Sequence, residues 1–303
     1  MSASSSLPVG AEAIQVKGWL KANRFLILRR LSQAFFLGLF LLGPWFGIWW
    51  VEGTLASSRT FDVLPLTDPL VLIQSIIAGH LPELTAVTGA IIVVTVYALV
   101  GGRTYCSWVC PINPVTDAAH WLHVRLGLPK GWQPKKSTRL WLLVGVLGAS
   151  ALSGTIAWEL VNPITALHRG LVFGMGFAWM LVLCVLLFDL LVSRRGWCGR
   201  LCPVGAFYGL VGTASVLRVT AAKRSACDDC MDCYAVCPEN HVISPALKGA
   251  KGSTPLILSS DCTNCGRCID VCAVDVFAFT HRFDNAHNDI AAPSGAAPTK
   301  QAV

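Results

Sequence analysis

The stretch that decides the fold reads Cys227-Asp-Asp-Cys230-Met-Asp-Cys233-Tyr-Ala-Val-Cys237-Pro238. A second stretch repeats its cysteine spacing as Cys262-Thr-Asn-Cys265-Gly-Arg-Cys268-Ile-Asp-Val-Cys272. In proteins with two [4Fe–4S] clusters, an array of this spacing gives three ligands to one cluster and its fourth ligand to the other. The pattern therefore predicts two [4Fe–4S] clusters in an α+β domain of the bacterial ferredoxin type.

The crossed spacing assigns the eight cysteines to the two clusters. The first cluster takes three ligands from the first array and one from the second: Cys227, Cys230, Cys233 and Cys272. The second cluster takes the other four: Cys262, Cys265, Cys268 and Cys237. Zinc sites or reduced structural thiols are the alternative, but two arrays with the same three-part spacing disfavour both.

The rest of the chain has the composition of a membrane protein. Hydrophobic residues make up 54% of the 303 residues and charged residues only 14%, whereas about 25% of the residues of a soluble domain are charged. Four apolar runs each approach the ~20 residues that a helix needs to cross the hydrocarbon core. They are Leu31–Val51, Leu84–Gly101, Leu140–Leu160 and Gly170–Val192. The shorter, Gly-rich run Val204–Val219 predicts an interfacial or packed helix.

The basic residues predict how these helices are oriented. Lys and Arg are frequent before the first run, after the second and after the fourth, whereas the other two loops each hold a single arginine, Arg59 or Arg169. Because basic loops stay on the cytoplasmic side, we expect a multi-pass protein of the bacterial inner (cytoplasmic) membrane, with both termini and both clusters in the cytoplasm. The net charge of +7 does not indicate nucleic acid, since the basic residues flank apolar runs and form no single patch.

These features divide the chain into four parts. We expect a basic cytoplasmic N-terminal segment over residues 1–30 and a four-helix membrane domain over 31–220. The ferredoxin-type domain follows over 221–283, and an Ala/Asn/Pro-rich tail over 284–303 is expected to be disordered. The first run could instead be a cleaved secretion signal, but its length and its tryptophans favour an uncleaved helix.

The membrane part contains an internal repeat. Arg103-Thr-Tyr-Cys106-Ser-Trp-Val-Cys110-Pro111 follows the second run, and Arg195-Gly-Trp-Cys198-Gly-Arg-Leu-Cys202-Pro203 follows the fourth. The loops before them also match, at Asp68-Pro69-Leu70 and Asn162-Pro163-Ile164. The sequence thus predicts two helix pairs that run in the same sense, each ending in a C-x3-C-P motif.

The sequence leaves the chemistry of the four motif cysteines, Cys106, Cys110, Cys198 and Cys202, open. Their spacing would place both thiols of a pair on one helix face, as a redox-active pair or as a metal or cluster site shared by the repeats. A following proline equally suits a structural turn between two helices.

Charged neighbours add two expectations. Arg103, Arg195 and Arg200 are expected to lower the pKa values of the motif thiols. Asp189, near the end of the fourth run, is a further candidate for catalysis, because carboxylates inside a membrane are often functional. The simpler interpretation pairs Asp189 with Arg194 or Arg195.

Taken together, these features resemble the NapH-type family, the quinol-dehydrogenase membrane subunits of periplasmic nitrate reductase systems. The similarity extends from about Lys17 to Thr280. Its specific runs are Leu41-Leu-Gly-Pro-Trp-Phe-Gly47, Thr67-Asp-Pro-Leu70, Gly196-Trp-Cys-Gly199 and Cys202-Pro-Val-Gly-Ala206.

The resemblance implies a quinol dehydrogenase component. Such a protein takes quinol as substrate from the membrane quinone pool and passes electrons toward periplasmic nitrate reductase through a periplasmic iron–sulfur partner. Related proteins serve nitrous-oxide reductase or handle copper during oxidase assembly, so a role as an assembly, maturation or copper-handling membrane ferredoxin is the alternative. The predicted cytoplasmic clusters and the implied periplasmic acceptor lie on opposite sides, and the sequence does not indicate the route between them.

Overall fold

The computed structural model describes residues 8–129, 131–174, 176–249 and 253–284. The predicted tail lies outside the described residues from position 285 onward. The helices are α1 (Ala11–Lys17), α2 (Trp19–Ala22), α3 (Arg24–Phe46), α4 (Pro69–Ile77), α5 (Leu84–Val100), α6 (Thr104–Trp108), α7 (Ile112–Arg125), α8 (Thr138–Ser153), α9 (Pro163–Phe173), α10 (Gly176–Leu187), α11 (Pro203–Val211), α12 (Asp232–Val236), α13 (Ile243–Leu247) and α14 (Arg267–Val271). The strands are β1 (Val51–Gly53), β2 (Ser57–Thr60), β3 (Leu64–Thr67), β4 (Leu217–Thr220) and β5 (Ala278–His281).

Within the described residues, α3 is the one helix that is long and apolar enough to cross a membrane by itself. It has 23 residues, compared with the ~20 that a span requires. It lies closer to the N-terminus than the predicted run Leu31–Val51. The helix ends where Gly47 adopts a left-handed φ of 72°, a conformation that favours glycine and stops helices.

Shorter apolar helices occupy the other three predicted runs, at Leu84–Val100, Thr138–Ser153 and Gly176–Val192. The second run agrees closely with α5. The helix α8 ends well before Leu160, because Gly154 takes a left-handed φ of 65°. The prediction of one continuous helix over Gly170–Val192 is wrong: α9 ends at Phe173, where Gly174 has a φ of 68°, and α10 then starts at Gly176.

A short helix precedes both the second and the fourth apolar helix. The first turns of these two short helices are capped in the same way. Asp68 Oδ1 accepts a hydrogen bond from Leu70 N at 2.9 Å, and Asn162 Oδ1 accepts one from Ile164 N at 3.1 Å. In both α4 and α9, proline occupies the first turn. This is the usual sequence of a capped helix start. The internal repeat therefore extends to backbone geometry.

The core of the helical part brings the two repeats together. Leu70 from α4 and Ile164 from α9 are buried in the same cluster as Tyr105, Tyr208 and the motif cysteine Cys106. In the first repeat, β1, β2 and β3 form an antiparallel sheet that packs against α5. The short helices α4 and α9, which precede α5 and α10, thus pack into the core of the helical part.

The C-terminal domain has the predicted α+β arrangement. The strands β4 and β5 pair antiparallel, with Leu217 opposite His281 and Thr220 opposite Ala278. The short helices α12 and α14 pack against each other over a buried apolar cluster that includes Val219. The sheet begins just before residue 221, within what the sequence assigned to the membrane domain.

The N-terminal segment is bound to this C-terminal domain. Asp270, which is almost fully buried, accepts hydrogen bonds from Phe25 N at 3.2 Å and from Leu26 N at 3.1 Å. Asp270 therefore caps the start of α3, where free backbone N–H groups and the helix dipole favour a carboxylate. Lys17 forms an ion pair with Asp275. The longest apolar helix is thereby fixed to the ferredoxin-type domain at its N-terminal end.

Candidate iron–sulfur sites and their junction with the helical part

The cysteines of the two arrays line two cavities. One is lined by three cysteines of the second array and one of the first: Cys262, Cys265, Cys268 and Cys237. The other is lined by the opposite combination: Cys227, Cys230, Cys233 and Cys272. Apolar side chains complete both linings, among them Ile257 in the first and Phe277 in the second. Four thiols around an apolar cavity are a donor set that suits one [4Fe–4S] cluster.

The loops of the arrays are wound tightly enough to bring three thiols to one cavity. Met231 has a φ of 65° at the start of α12, and Gly266 has a φ of 72° at the start of α14. Asn264 also has a positive φ, of 47°. A Cβ atom at Gly266 would lie 2.5 Å from Cγ of Phe25, so the loop also needs glycine for its contact with the N-terminal segment.

Burial makes several of the array thiols weaker acids. Burial, together with the charges of Cys230, Cys227 and Cys272, raises the pKa of Cys233 to about 12. Burial likewise raises the pKa of Cys262 to about 11. Because iron binds the thiolate, cluster insertion has to release these protons.

The second cysteine of each C-x3-C-P motif lies beyond the helical turn that holds the first. Cys106 is in α6, and Cys198 is in the π-helical turn Trp197–Leu201. Cys110 and Cys202 stand just before α7 and α11, whose starts are set by Pro111 and Pro203. The expectation that both thiols of a pair share one helix face is therefore wrong.

The four motif thiols nevertheless converge. Each lies near enough to the other three for their charges to interact. Cys106, Cys110 and Cys202 belong to one buried core cluster. The Cys198 Sγ lies 3.9 Å from Oγ1 of Thr116, a residue of the first repeat.

The motif thiols are not activated by neighbouring arginines. Burial raises the pKa of Cys202 to about 12 and that of Cys198 well above its usual value. Burial also raises the pKa of Cys106, and the opposing charge of Arg103 offsets this only in part. Arg195 and Arg200 are engaged elsewhere, with Asp117 and with the carbonyl of Pro134. The expectation of lowered thiol pKa values is wrong, since burial dominates.

Asp189 holds the second motif in place. Its side chain is fully buried, and Oδ1 accepts a hydrogen bond from Trp197 N at 2.8 Å, next to Cys198. Among the described residues, neither Arg194 nor Arg195 forms an ion pair with it, so the expected pairing is wrong. This contact fixes the backbone next to Cys198.

Known families match the same segments. A family described as 4Fe-4S dicluster domain matches residues 226–276. A second, described as 4Fe-4S binding domain, matches twice, at residues 83–129 and 175–219, once over each C-x3-C-P repeat. The ferredoxin-type protein NapH of Escherichia coli (strain K12) is 50% identical over 91% of this chain and 96% of its own length. The chain belongs to the NapH and MauN family of ferredoxin-type proteins.

Other members of the NapH and MauN family are equally similar. The methylamine utilization ferredoxin-type protein MauN of Methylorubrum extorquens is 54% identical over 90% of this chain and 94% of its own length. NapH of Haemophilus influenzae is 48% identical over 91% and 96%. No solved structure matches the chain. The protein is a ferredoxin-type electron-transport protein with 4Fe–4S domains.

A cluster of buried charged side chains, here called the junction, joins the helical part to the ferredoxin-type domain. Sequence reasoning did not predict it. Arg103 donates to Glu239 Oε1 at 3.1 Å, to the Asp261 carbonyl at 2.9 Å and to the Cys198 carbonyl at 3.1 Å. Arg139 binds the Asp261 carboxylate. The side chains of Arg103 and Glu239 are only 2% and 7% exposed. The one sequence signal was the position of Glu239 and Asp261 beside array cysteines.

The junction also contains three potential metal ligands. The ligand atoms of Glu239, His241 and Asp261 lie within 4.8 Å of one another. Arg103, Arg139 and Lys136 approach the two carboxylates. Because cations already surround them, the group is an ion-pair cluster and not a metal site.

Two neutral contacts complete the junction. Ser107 donates to the Thr263 carbonyl at 2.7 Å, and Trp108 Nε1 donates to the Asn264 carbonyl at 3.1 Å. Both donors lie inside the first C-x3-C-P motif, and both acceptors lie inside the second cysteine array. The first motif and the second cavity therefore share one packed interface.

Proposed function

We propose that the protein is a multi-pass membrane component of a quinol dehydrogenase, which oxidises membrane quinol and passes the electrons through its iron–sulfur clusters. The observation that carries this proposal is the buried junction. It attaches the ferredoxin-type cavities directly to a helical part with an apolar outer surface. Electron carriers are thereby held at the edge of the region in which a quinol would dissolve.

The apolar outer surface supports a membrane location. Large side chains stand exposed along α3, α5, α8 and α10: Phe35, Ile91, Trp141, Phe177 and Leu183. Patches of this extent are rare on soluble monomers. The helices α5 and α8 have 17 and 16 residues, or about 26 and 24 Å at 1.5 Å per residue, against a hydrocarbon core of ~30 Å. We therefore keep the four-span topology with cytoplasmic termini as part of the proposal.

The cavities define the proposed cofactor sites. We assign one [4Fe–4S] cluster to Cys227, Cys230, Cys233 and Cys272. We assign the other to Cys262, Cys265, Cys268 and Cys237. Bound clusters supply one-electron carriers, two of which match the two electrons of a quinol. The chain's own residues hold the second array next to the first C-x3-C-P motif.

The partner is the least specified part of the proposal. The resemblance to NapH-type subunits favours a periplasmic iron–sulfur partner of a nitrate reductase system. The MauN relatives, at 54% identity, are named for methylamine utilization, so a redox partner of that system is the second candidate.

Anaerobic reduction by a quinol analogue tests the activity. The purified protein is oxidised and mixed with excess analogue, and the reduced clusters are counted by EPR. We expect cluster reduction in the wild type and in Cys184→Ser, because Cys184 is exposed and lies outside both arrays. A protein that carries its clusters but stays oxidised would favour the assembly or copper-handling alternative.

Reporter fusions test the topology. A fusion after Asp284 is expected to read cytoplasmic, and one inserted near Thr60 is expected to read periplasmic. A periplasmic signal after Asp284 would overturn the proposed placement of the clusters.

A further inference from the structure

Each C-x3-C-P repeat matches a 4Fe-4S binding domain, yet each motif supplies only two cysteines, while a [4Fe–4S] cluster takes four. The structure resolves this mismatch, because it brings the two pairs together. We propose that one further [4Fe–4S] cluster is shared by the repeats. Its ligands are Cys106, Cys110, Cys198 and Cys202.

The motifs interlock across the repeats. Arg103, at the start of the first motif, donates to the carbonyl of Cys198 in the second at 3.1 Å. Gly102 lies against α11 of the second repeat so closely that a Cβ atom there would be 1.9 Å from the Tyr208 carbonyl oxygen. Thr116 Oγ1 lies 3.9 Å from the Cys198 Sγ. The two pairs of thiols are therefore held by one packed interface.

The spacing of the sulfurs suits a cluster better than a single ion. A tetrahedral zinc site with Zn–S bonds of about 2.3 Å needs sulfurs about 3.8 Å apart. Among the described residues, no three motif sulfurs lie within 4.8 Å of one another. In the ferredoxin arrays, too, no three described sulfurs lie this close together. In the motifs and in the arrays, the thiols are nevertheless close enough for their charges to interact. A cubane does not need sulfurs as close together as a single zinc ion does, because each thiolate binds a different iron.

The environment favours an anionic group. The backbone N–H groups of Ile112 and Asn113 at the start of α7 lie near the Cys110 thiol and favour its charged form. Those of Val204 and Gly205 at the start of α11 do the same for the Cys202 thiol. N–H groups near ligand sulfurs stabilise iron–sulfur clusters and tune their potentials, and helix starts attract negative charge. Cys110 and Cys202 thus occupy equivalent positions in the two repeats, each just before the start of a helix.

The shared site lies in the core of the helical part and is linked through the first C-x3-C-P motif to the second ferredoxin cavity. Arg103 lies close enough to Cys106 for its charge to act on the thiol, and it donates to the carbonyl of Asp261, which directly precedes Cys262. A cluster here would be the first to receive electrons from the membrane side. That role rests on the proposed function, whereas the ligand assignment does not.

Iron and acid-labile sulfide counts on the anaerobically purified full chain test the site. We expect about twelve irons per wild-type chain, compared with about eight if only the two arrays are filled. Cys106→Ser and Cys202→Ser are each expected to lose about four irons while keeping the EPR signals of the array clusters. Cys184→Ser is the matched control, since its thiol is exposed and belongs to neither motif, and it is expected to keep all iron.

A wild-type count of about eight irons would overturn the proposal, as would bound zinc or motif variants that retain the full count. The wild-type count decides the matter even if a variant does not accumulate. A chain with about twelve irons that quinol fails to reduce would refute the proposed function and leave the shared site standing.

Discussion

Replacing Arg103 with methionine is expected to loosen the ferredoxin-type domain from the helical part. Methionine keeps much of the volume of the side chain but removes its charge. Glu239 would then remain buried without its closest cation, and the carbonyls of Asp261 and Cys198 would lose a donor. Because these groups are almost fully shielded from water, the loss is expected to be large.

The magnitude follows from burial. Removing one partner of a buried ion pair costs about 3 to 5 kcal/mol, and Arg103→Met belongs in that range. Lys136 reaches the same carboxylates, but its side chain is 36% exposed, and exposed pairs contribute about 0 to 1 kcal/mol. Lys136→Met is therefore the matched control. In Arg103→Met/Glu239→Gln, the loss should be smaller than the sum of the single losses, since no unpaired carboxylate remains.

Amide hydrogen exchange across Ser259–Asn264 measures the opening of the junction. With a tenfold change for every 1.4 kcal/mol, exchange in Arg103→Met should be roughly 100- to 4,000-fold faster, and in Lys136→Met less than about tenfold faster. Equal exchange in the two variants, or additive losses in the double variant, would refute the claim that the buried pair holds the two parts together.

Two further changes are expected to have defined outcomes. Gly102→Ala should destabilise the protein by about 1 to 3 kcal/mol, because the added Cβ would meet the Tyr208 carbonyl. Gly148→Ala is the control, with open space around it, and should be neutral or slightly stabilising. Equal melting temperatures for these two variants would contradict the packing of the repeats. Burial and the charges of Arg195 and Arg194 lower the pKa of His120 from 6.5 to about 4. As the pH falls, His120 is therefore protonated in the unfolded chain before it is protonated in the folded protein. The free energy of unfolding should fall as the pH drops from about 6.5 toward 4. His120→Asn should lose less stability than wild type over that interval in thermal unfolding, and an identical pH profile would contradict the burial of the ring.

Local patterns in the sequence predicted the parts of the fold that depend on local geometry. The two cysteine arrays fix their own loops, and the capped starts at Asp68 and Asn162 depend on residues only two positions apart. The repeat was visible for the same reason. The helix ends were missed at Gly47, Gly154 and Gly174, because a hydropathy sum ignores the left-handed conformations that these glycines adopt.

Contacts between distant residues were not predictable in this way. Asp270 caps α3 from a position about 245 residues later in the chain, and Arg103 meets Glu239 across 136 positions. The thiol pKa values were missed for a related reason. The arginines near the motifs were visible in the sequence, but the burial that outweighs their charge was not.

The most direct test of quinol oxidation by cytoplasmic clusters places the electron donor in the membrane and the acceptor on one side. Wild-type protein in sealed anaerobic membrane vesicles is supplied with quinol and with an oxidant that cannot cross the membrane. We expect quinol to reduce the clusters, and the oxidant to reoxidise them rapidly only in inside-out vesicles, where the cytoplasmic side faces outward. Clusters that stay oxidised with quinol, or that are reoxidised only in right-side-out vesicles, would contradict the proposed function and topology.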